Sequence, residues 1–255
     1  MSPDRSRTSY QEAAAGLARR ALGALRGAGG TAMVAEHVES APDPGAALAA
    51  IRILGADTLA PALLAGAPVH PRDAEAVTLA FGALPPARDV TPPPPAGPAG
   101  PWLMAWRDWG TLTLLAVLSD QAGGGRARGV DGRPAAVRPA PPPPAGPAAD
   151  GGDAWAAWSV TMGQLSTLAL PGLDGPVHDA ARSSPLGLAR GATRAVLRRD
   201  YPTAARIVRW LAWLHSEGVR IPLDPAPLVE HISLLAGGDR LALDTAIAGR
   251  LLGSG

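Results

Sequence analysis

The stretch "SPLGLARGATRAVLRRDYPTAARIVRWLAWLHSEG", residues 184–218, sets two helices back to back. Pro185 stands where a helix accepts proline, at its first position, because the missing N–H would have no partner there anyway. Ile207, Trp210, Leu211 and Leu214 recur at helical spacing and give the second segment one apolar face. Between the segments, Asp200-Tyr201-Pro202 forces a break, since proline removes a backbone donor and pushes the residue before it out of the helical region. The spacing predicts helices over 185–199 and 202–217.

The same punctuation recurs along the chain, and no run alternates apolar and polar residues with the period of a strand. Downstream, Asp224-Pro225 caps and opens a helix that reaches Leu235, and Asp239 starts a last one with Leu243, Ile247 and Leu251 on one face. Upstream, residues 153–170 read as a helix ended by Pro171-Gly172, followed by the turn-rich "LDGPVHDAARSSP" with one short helix. In the N-terminal part, Ser9 and Glu12 form a capping box ahead of Tyr10, Ala14, Leu17, Ala21 and Leu25. Further helices follow over 32–40, 44–54 and 72–84, and Pro61 keeps 58–65 short or kinked. Residues 102–120 read as helix, over a competing buried strand through "TLTLLAVL".

The fold class is therefore all-α, an irregular multi-helix bundle of short helices interrupted by two Pro/Gly-rich linkers. The expected organisation is a flexible tail (1–8), an N-terminal helical block (9–84), a Pro-rich linker (85–101), a Trp-rich helix (102–120), a Gly/Arg/Pro-rich disordered linker (121–150) and a C-terminal helical block (151–255). The linkers hold eight prolines between residues 85 and 101 and seven between 134 and 147. Such segments favour extended polyproline II.

Composition removes several chemistries. All 23 basic residues are Arg, and the chain has no Cys, no Lys and no Asn among its 255 residues, a pattern of very GC-rich coding DNA. Lysine Schiff bases, the lysine of a phosphate loop, thiol nucleophiles and thiolate metal sites are thereby excluded. Residues 1–150 carry 13 Arg against 13 acids and residues 151–255 carry 10 against 9, so neither half is basic in bulk. The N-terminal residues lack an apolar signal region, and the most apolar window is taken as 102–118, which contains Arg107 and Asp108. No membrane span and a cytoplasmic location are expected.

Tryptophan is the most distinctive residue. Six of the seven sit in W-x-x-W pairs, and residues 92–109 align with 141–158 at 11 of 18 positions. The simplest reading makes each stripe a core face with its indole N–H on a carbonyl. The sharper one makes Trp102, Trp106, Trp109, Trp155 and Trp158 a groove for a partner protein or for the chain's own polyproline segments.

The five histidines include no pair at i+3 or i+4, so neither a metal site nor a cofactor is expected. His178-Asp179 is the dipeptide of HD-type phosphohydrolases but lacks a suitably placed upstream histidine. His215-Ser216-Glu217 are adjacent on a helix and so do not face one another. No nucleophile elbow and no dinucleotide fingerprint occurs. Arg190, Arg194, Arg198, Arg199, Arg206 and Arg209 form the densest basic cluster, with the first three at four-residue spacing, and could meet an anion or a nucleic acid backbone. Ser6, Thr8 and Ser9 lie beside arginines as phosphorylation candidates, Ser9 at the expected helix N-terminus.

Three functions compete on these residues: a non-enzymatic cytoplasmic regulatory or adaptor protein working through protein contacts, a DNA-binding transcriptional regulator using the Arg-rich helices of 185–217, and an enzyme with a site near His178 and Asp179.

Overall fold

Proline sets where most helices of this chain begin. The structure is a computed structural model and describes residues 3–28, 30, 32–84, 98–122, 154–235 and 237–253. Pro44, Pro71, Pro176, Pro185, Pro202 and Pro225 each occupy one of the first two positions of a helix, where their fixed φ is already helical. The elements in order are α1 (Pro3–Leu25), α2 (Met33–Ser40), α3 (Pro44–Leu54), α4 (Ala60–Ala65), α5 (Pro71–Ala83), α6 (Ala99–Ala122), α7 (Ala154–Gln164), α8 (Pro176–Ser183), α9 (Pro185–Leu197), α10 (Tyr201–Ser216), α11 (Pro225–Leu235) and α12 (Asp239–Leu251). Single 3-10 turns, Gly55–Thr58 and Ser166–Leu168, follow α3 and α7. Among the described residues there is no strand, and the chain is all-α.

The chain divides into two compact units, Met1–Val90 with Met104–Pro139, and Thr91–Leu103 with Ala140–Gly255. In the first unit α1 packs on α2, α3 and α4, and α5 packs on α2 and α3. Leu17, Val34, Ile51, Leu54, Leu59, Val77 and Phe81 fill its core. The N-terminus of α2 receives no cap from Ala32; instead Asp73 of α5 accepts hydrogen bonds from the Val34 and Ala35 amides at 2.9 and 2.8 Å. Two of the donors that any helix start leaves without partners are thus satisfied from another helix. Arg52 of α3 forks onto Asp108 of α6, donating at 3.1 and 2.6 Å, and also donates to the Leu84 carbonyl at 2.8 Å.

In the second unit α10 is the central helix, in contact with α7, α8, α9, α11 and α12. Ile207, Trp210, Leu211 and Leu214 are all fully buried, as the periodicity requires. Small residues let α7 and α9 approach closely: a Cβ added to Gly191 would lie 2.4 Å from Ser159, and one added to Gly187 would lie 3.1 Å from Trp158. On the α12 side, buried Arg209 donates to Asp244 at 2.8 Å, and Arg240 donates to both oxygens of the same carboxylate. The arginines hold Asp244 ionised, its pKa below the usual carboxylate value in spite of burial.

Several boundaries differ from expectation. Helix α1 starts at Pro3 rather than after Ser9, so the tail expected over 1–8 is helical from Pro3 and Ser9 is an interior residue, not an N-cap. Nothing between Pro3 and Ser9 breaks a helix, and Pro3 with Asp4 suits a first turn better than Ser9 does. Helix α6 begins at Ala99, which places Pro101 in its first turn rather than in a linker. It runs on through residues 111–118, where a strand was the competing reading. Residues 85–97 and 123–153, which carry most of the proline-rich segments, lie outside the described residues.

Among the described residues, the helical run long and apolar enough to cross a membrane is Pro44–Ala65 and not residues 102–118. It is 22 residues long, and its most apolar 18 residues have mean hydropathy 1.6 and are 61% buried inside the fold. It contains Arg52 and Asp57 and changes to a 3-10 turn at Gly55. By length and composition it passes the test for crossing a membrane, a test that buried core helices also pass.

Candidate functional site

Helix α9 has two useful faces. Gly187, Leu188, Gly191, Ala192 and Ala195 turn inward and are buried. Leu186, Arg190, Thr193, Leu197 and Arg198 turn outward and are exposed. The outward face lines a trough of about 650 Å³, whose wall also includes Trp155 of α7 and Pro222 and Leu223 of the α10–α11 connection. Leu186 is 46% exposed and Leu197 79% exposed, so the trough is apolar along its length and open to solvent. Exposed apolar side chains gathered in one concave patch are what binding surfaces display.

The charged rim comes from the same helix. Arg190, Arg194 and Arg198 line the trough at four-residue spacing, about 6 Å apart along the axis. The Arg194 guanidinium lies 5.7 Å from the centre of the Trp155 ring, a cation–π distance that holds both groups at the wall. Arg194 and Arg198 also border a smaller hollow of about 240 Å³ on the other flank of α9, together with Val160, Gly191 and Thr203. Arg194 and Arg198 therefore border both depressions, and Arg190 only the larger.

The other expected residues of the basic cluster are placed elsewhere. Arg209 is fully buried in its pair with Asp244, and Arg206 leans toward the same carboxylate with its Nε 4.0 Å from it. Arg199 is exposed at the helix end. Of the tryptophans, Trp102, Trp106 and Trp158 are buried and Trp109 half-buried, its ring edge-on to Trp106 at 5.3 Å. Only Trp155 lines the trough. Each buried indole was expected to donate to a carbonyl. Trp210 does, to Met162 at 2.7 Å, whereas the Trp158 and Trp213 N–H groups have no acceptor among the described residues.

His178 and Asp179 do not form a site together. His178 is fully buried, donates from Nε2 to the Leu168 carbonyl at 2.9 Å, and meets the rings of Trp213 and Trp210 edge-on at 5.0 and 5.5 Å. Burial lowers its pKa and keeps it neutral. Asp179 faces solvent and pairs with Arg182 at 3.3 Å, and His215 is exposed on α10. Among the described residues no cluster of His, Asp and Glu could hold a metal ion. Ser6, Thr8 and Ser9 all lie within α1. Ser9 borders a hollow of about 510 Å³ together with Arg20, His37 and Asp43.

The trough was legible only in part. The arginine spacing and Trp155 stand out in the sequence, but Leu186, Leu197, Pro222 and Leu223 do not. The missed signal is a second apolar stripe on α9: Leu186 and Leu197 lie three helical turns apart on the arginine face. Comparison of the chain with protein-family models, with curated proteins and with solved structures found no match.

Proposed function

We propose that this protein is a non-enzymatic adaptor or regulatory protein that works by receiving a segment of another protein in the α7–α9 trough. What carries the reading is the trough itself, an open surface on which Trp155, Leu186 and Leu197 lie beside a row of arginines. An aromatic anchor beside aliphatic side chains, with arginine at the rim, is the composition that concentrates binding energy in protein interfaces. The scattered placement of His178, Asp179 and His215 gives an enzymatic reading no site of comparable definition.

The nucleic-acid reading retains Arg190, Arg194, Arg198 and Arg199 but loses the buried Arg209. A phosphate backbone would also leave the apolar side chains uncovered, which favours a protein partner. Selection of a random peptide library on the full chain, with counter-selection on a Leu186→Glu/Leu197→Glu variant, tests the proposal. Peptides that bind the native chain and lose about tenfold or more on the variant support it. A library yielding none that discriminates refutes it. Steeply salt-dependent binding of duplex DNA that survives the leucine changes and fails with the three arginines replaced would favour the nucleic-acid reading instead.

A further inference from the structure

The first unit has a hollow of its own, built entirely from its residues and independent of the trough. Ala13 and Gly16 of α1, His37 of α2, Ala41 and Pro42 of the α2–α3 connection and Ala46 of α3 line it. We infer that this hollow is a binding site for a small, uncharged, largely apolar molecule whose amide or hydroxyl group pairs with the imidazole of His37.

The histidine carries the assignment. His37 is only 7% exposed, and its Nε2 is closed off from solvent with no hydrogen-bond partner among the described residues. Buried polar side chains are nearly always paired, and one left alone forfeits the hydration it gave up on folding. The ring turns its Cε1–Nδ1 edge toward Gly16: a Cβ added there would lie 3.6 Å from Cε1 and 4.0 Å from Nδ1. Glycine at this position leaves that edge of the imidazole uncovered at the wall of the hollow. Burial, with Arg20 adding to it, lowers the pKa of His37 and keeps the ring neutral. A neutral imidazole has one N–H and one bare nitrogen. An amide or a hydroxyl both donates and accepts, so either group answers the ring in either tautomer.

The rest of the lining sets the character of the ligand. The volume of about 510 Å³ falls in the range of roughly 300–1,000 Å³ usual for small-molecule sites. Alanine, glycine and proline supply apolar walls that take up little of this space. The charged residues of the lining balance, Glu12 and Asp43 against Arg19 and Arg20. Two of them are already engaged: Arg20 donates to Ser40 at 3.0 Å and stands 3.6 Å from Glu36, and Asp43 accepts from the Ala46 amide at 3.1 Å. A net charge on the ligand therefore meets no excess of the opposite sign.

The test titrates the full chain, labelled with nitrogen-15, with a matched set of benzamides, lactams and benzyl alcohols, each beside its hydrocarbon, carboxylate and ammonium counterpart. Amide and alcohol members should shift the Gly16 and His37 backbone signals and the His37 ring nitrogens. They should bind about threefold to tenfold tighter than their hydrocarbon counterparts, the difference one hydrogen bond makes. His37→Phe keeps a ring and removes both nitrogens, so it should bind amide and hydrocarbon equally. Gly16→Leu should fill the hollow and abolish binding with the urea midpoint maintained. If that variant is destabilised, Gly16→Ala, whose methyl makes only ordinary contact with the ring, should still weaken binding. A set in which no member shifts these signals overturns the site and leaves the hollow to water. Equal binding of amide and hydrocarbon by the native chain, or a preference that survives His37→Phe, overturns the role of His37. Tighter binding of the carboxylates or the ammonium compounds overturns the uncharged class.

Discussion

Arg199 is the one described non-glycine residue with a left-handed backbone, at φ 58°. It ends α9 in the position that glycine usually fills: its amide donates to the Val196 carbonyl at 2.9 Å, and the Asp200 amide reaches back to Ala195 at 2.9 Å. A Cβ in that region costs about 1 kcal/mol. Arg199→Gly should therefore raise stability by about 0.5–1 kcal/mol, seen as a higher urea midpoint with an unchanged slope. An unchanged or lower midpoint would mean that the arginine side chain compensates the strain. The sequence hides this cap. "RRDYP" shows a break at proline but no glycine to mark the left-handed turn, so Arg199 reads there only as another basic residue.

At the scale of elements, Pro44, Pro185 and Pro225 made their helices legible, because each signals a start by local chemistry alone, whereas the start at Pro3 was hidden by the capping pattern at Ser9 and Glu12. What local chemistry does not encode is a cap supplied from afar or a seam between helices. Asp73 is such a cap. Asp73→Ala should cost about 1–3 kcal/mol by stripping the acceptor from two buried amides, and the Val34 and Ala35 amides should then exchange hydrogen faster than the rest of α2. If their protection is unchanged, the cap is not what holds the start of α2. Gly191 marks the seam. A methyl group there collides with Ser159 at 2.4 Å, so Gly191→Ala should destabilise by about 1–3 kcal/mol. Adding Ser159→Gly should restore part of the loss, a coupling that a double-mutant cycle measures. The same small residues place Trp155 beside Arg194, which explains why the site was only half visible: its wall depends on how closely two helices pack.

At the scale of the whole molecule, each unit carries one buried neutral histidine. His37 in the first unit and His178 in the second both have pKa values lowered from 6.5, chiefly by burial, with Arg20 adding to the effect on His37. A lowered pKa means that the unfolded chain takes up a proton first as pH falls. The stability these groups contribute is complete above pH 6.5 and is lost as pH falls from there through the folded-state values. Urea midpoints should therefore decline on acidification below neutrality, before the carboxylates titrate. His178→Gln, which can still donate to the Leu168 carbonyl, should flatten the part of that decline that belongs to the second unit. A midpoint that stays level through this range would show that both imidazoles protonate without cost. The neutrality of His178 follows from its place between Trp210 and Trp213, two residues whose helical spacing announced a core, whereas the histidine's own position in "VHDAAR" gave no such sign.

The distribution of indoles also makes the trough spectroscopically addressable. Trp102, Trp106, Trp158, Trp210 and Trp213 are shut away from solvent, and only Trp109 and Trp155 retain partial exposure. With Trp109→Phe in place, collisional quenching by acrylamide would fall almost entirely on Trp155, so the emission of the intact chain would register when that wall is covered, without an added label.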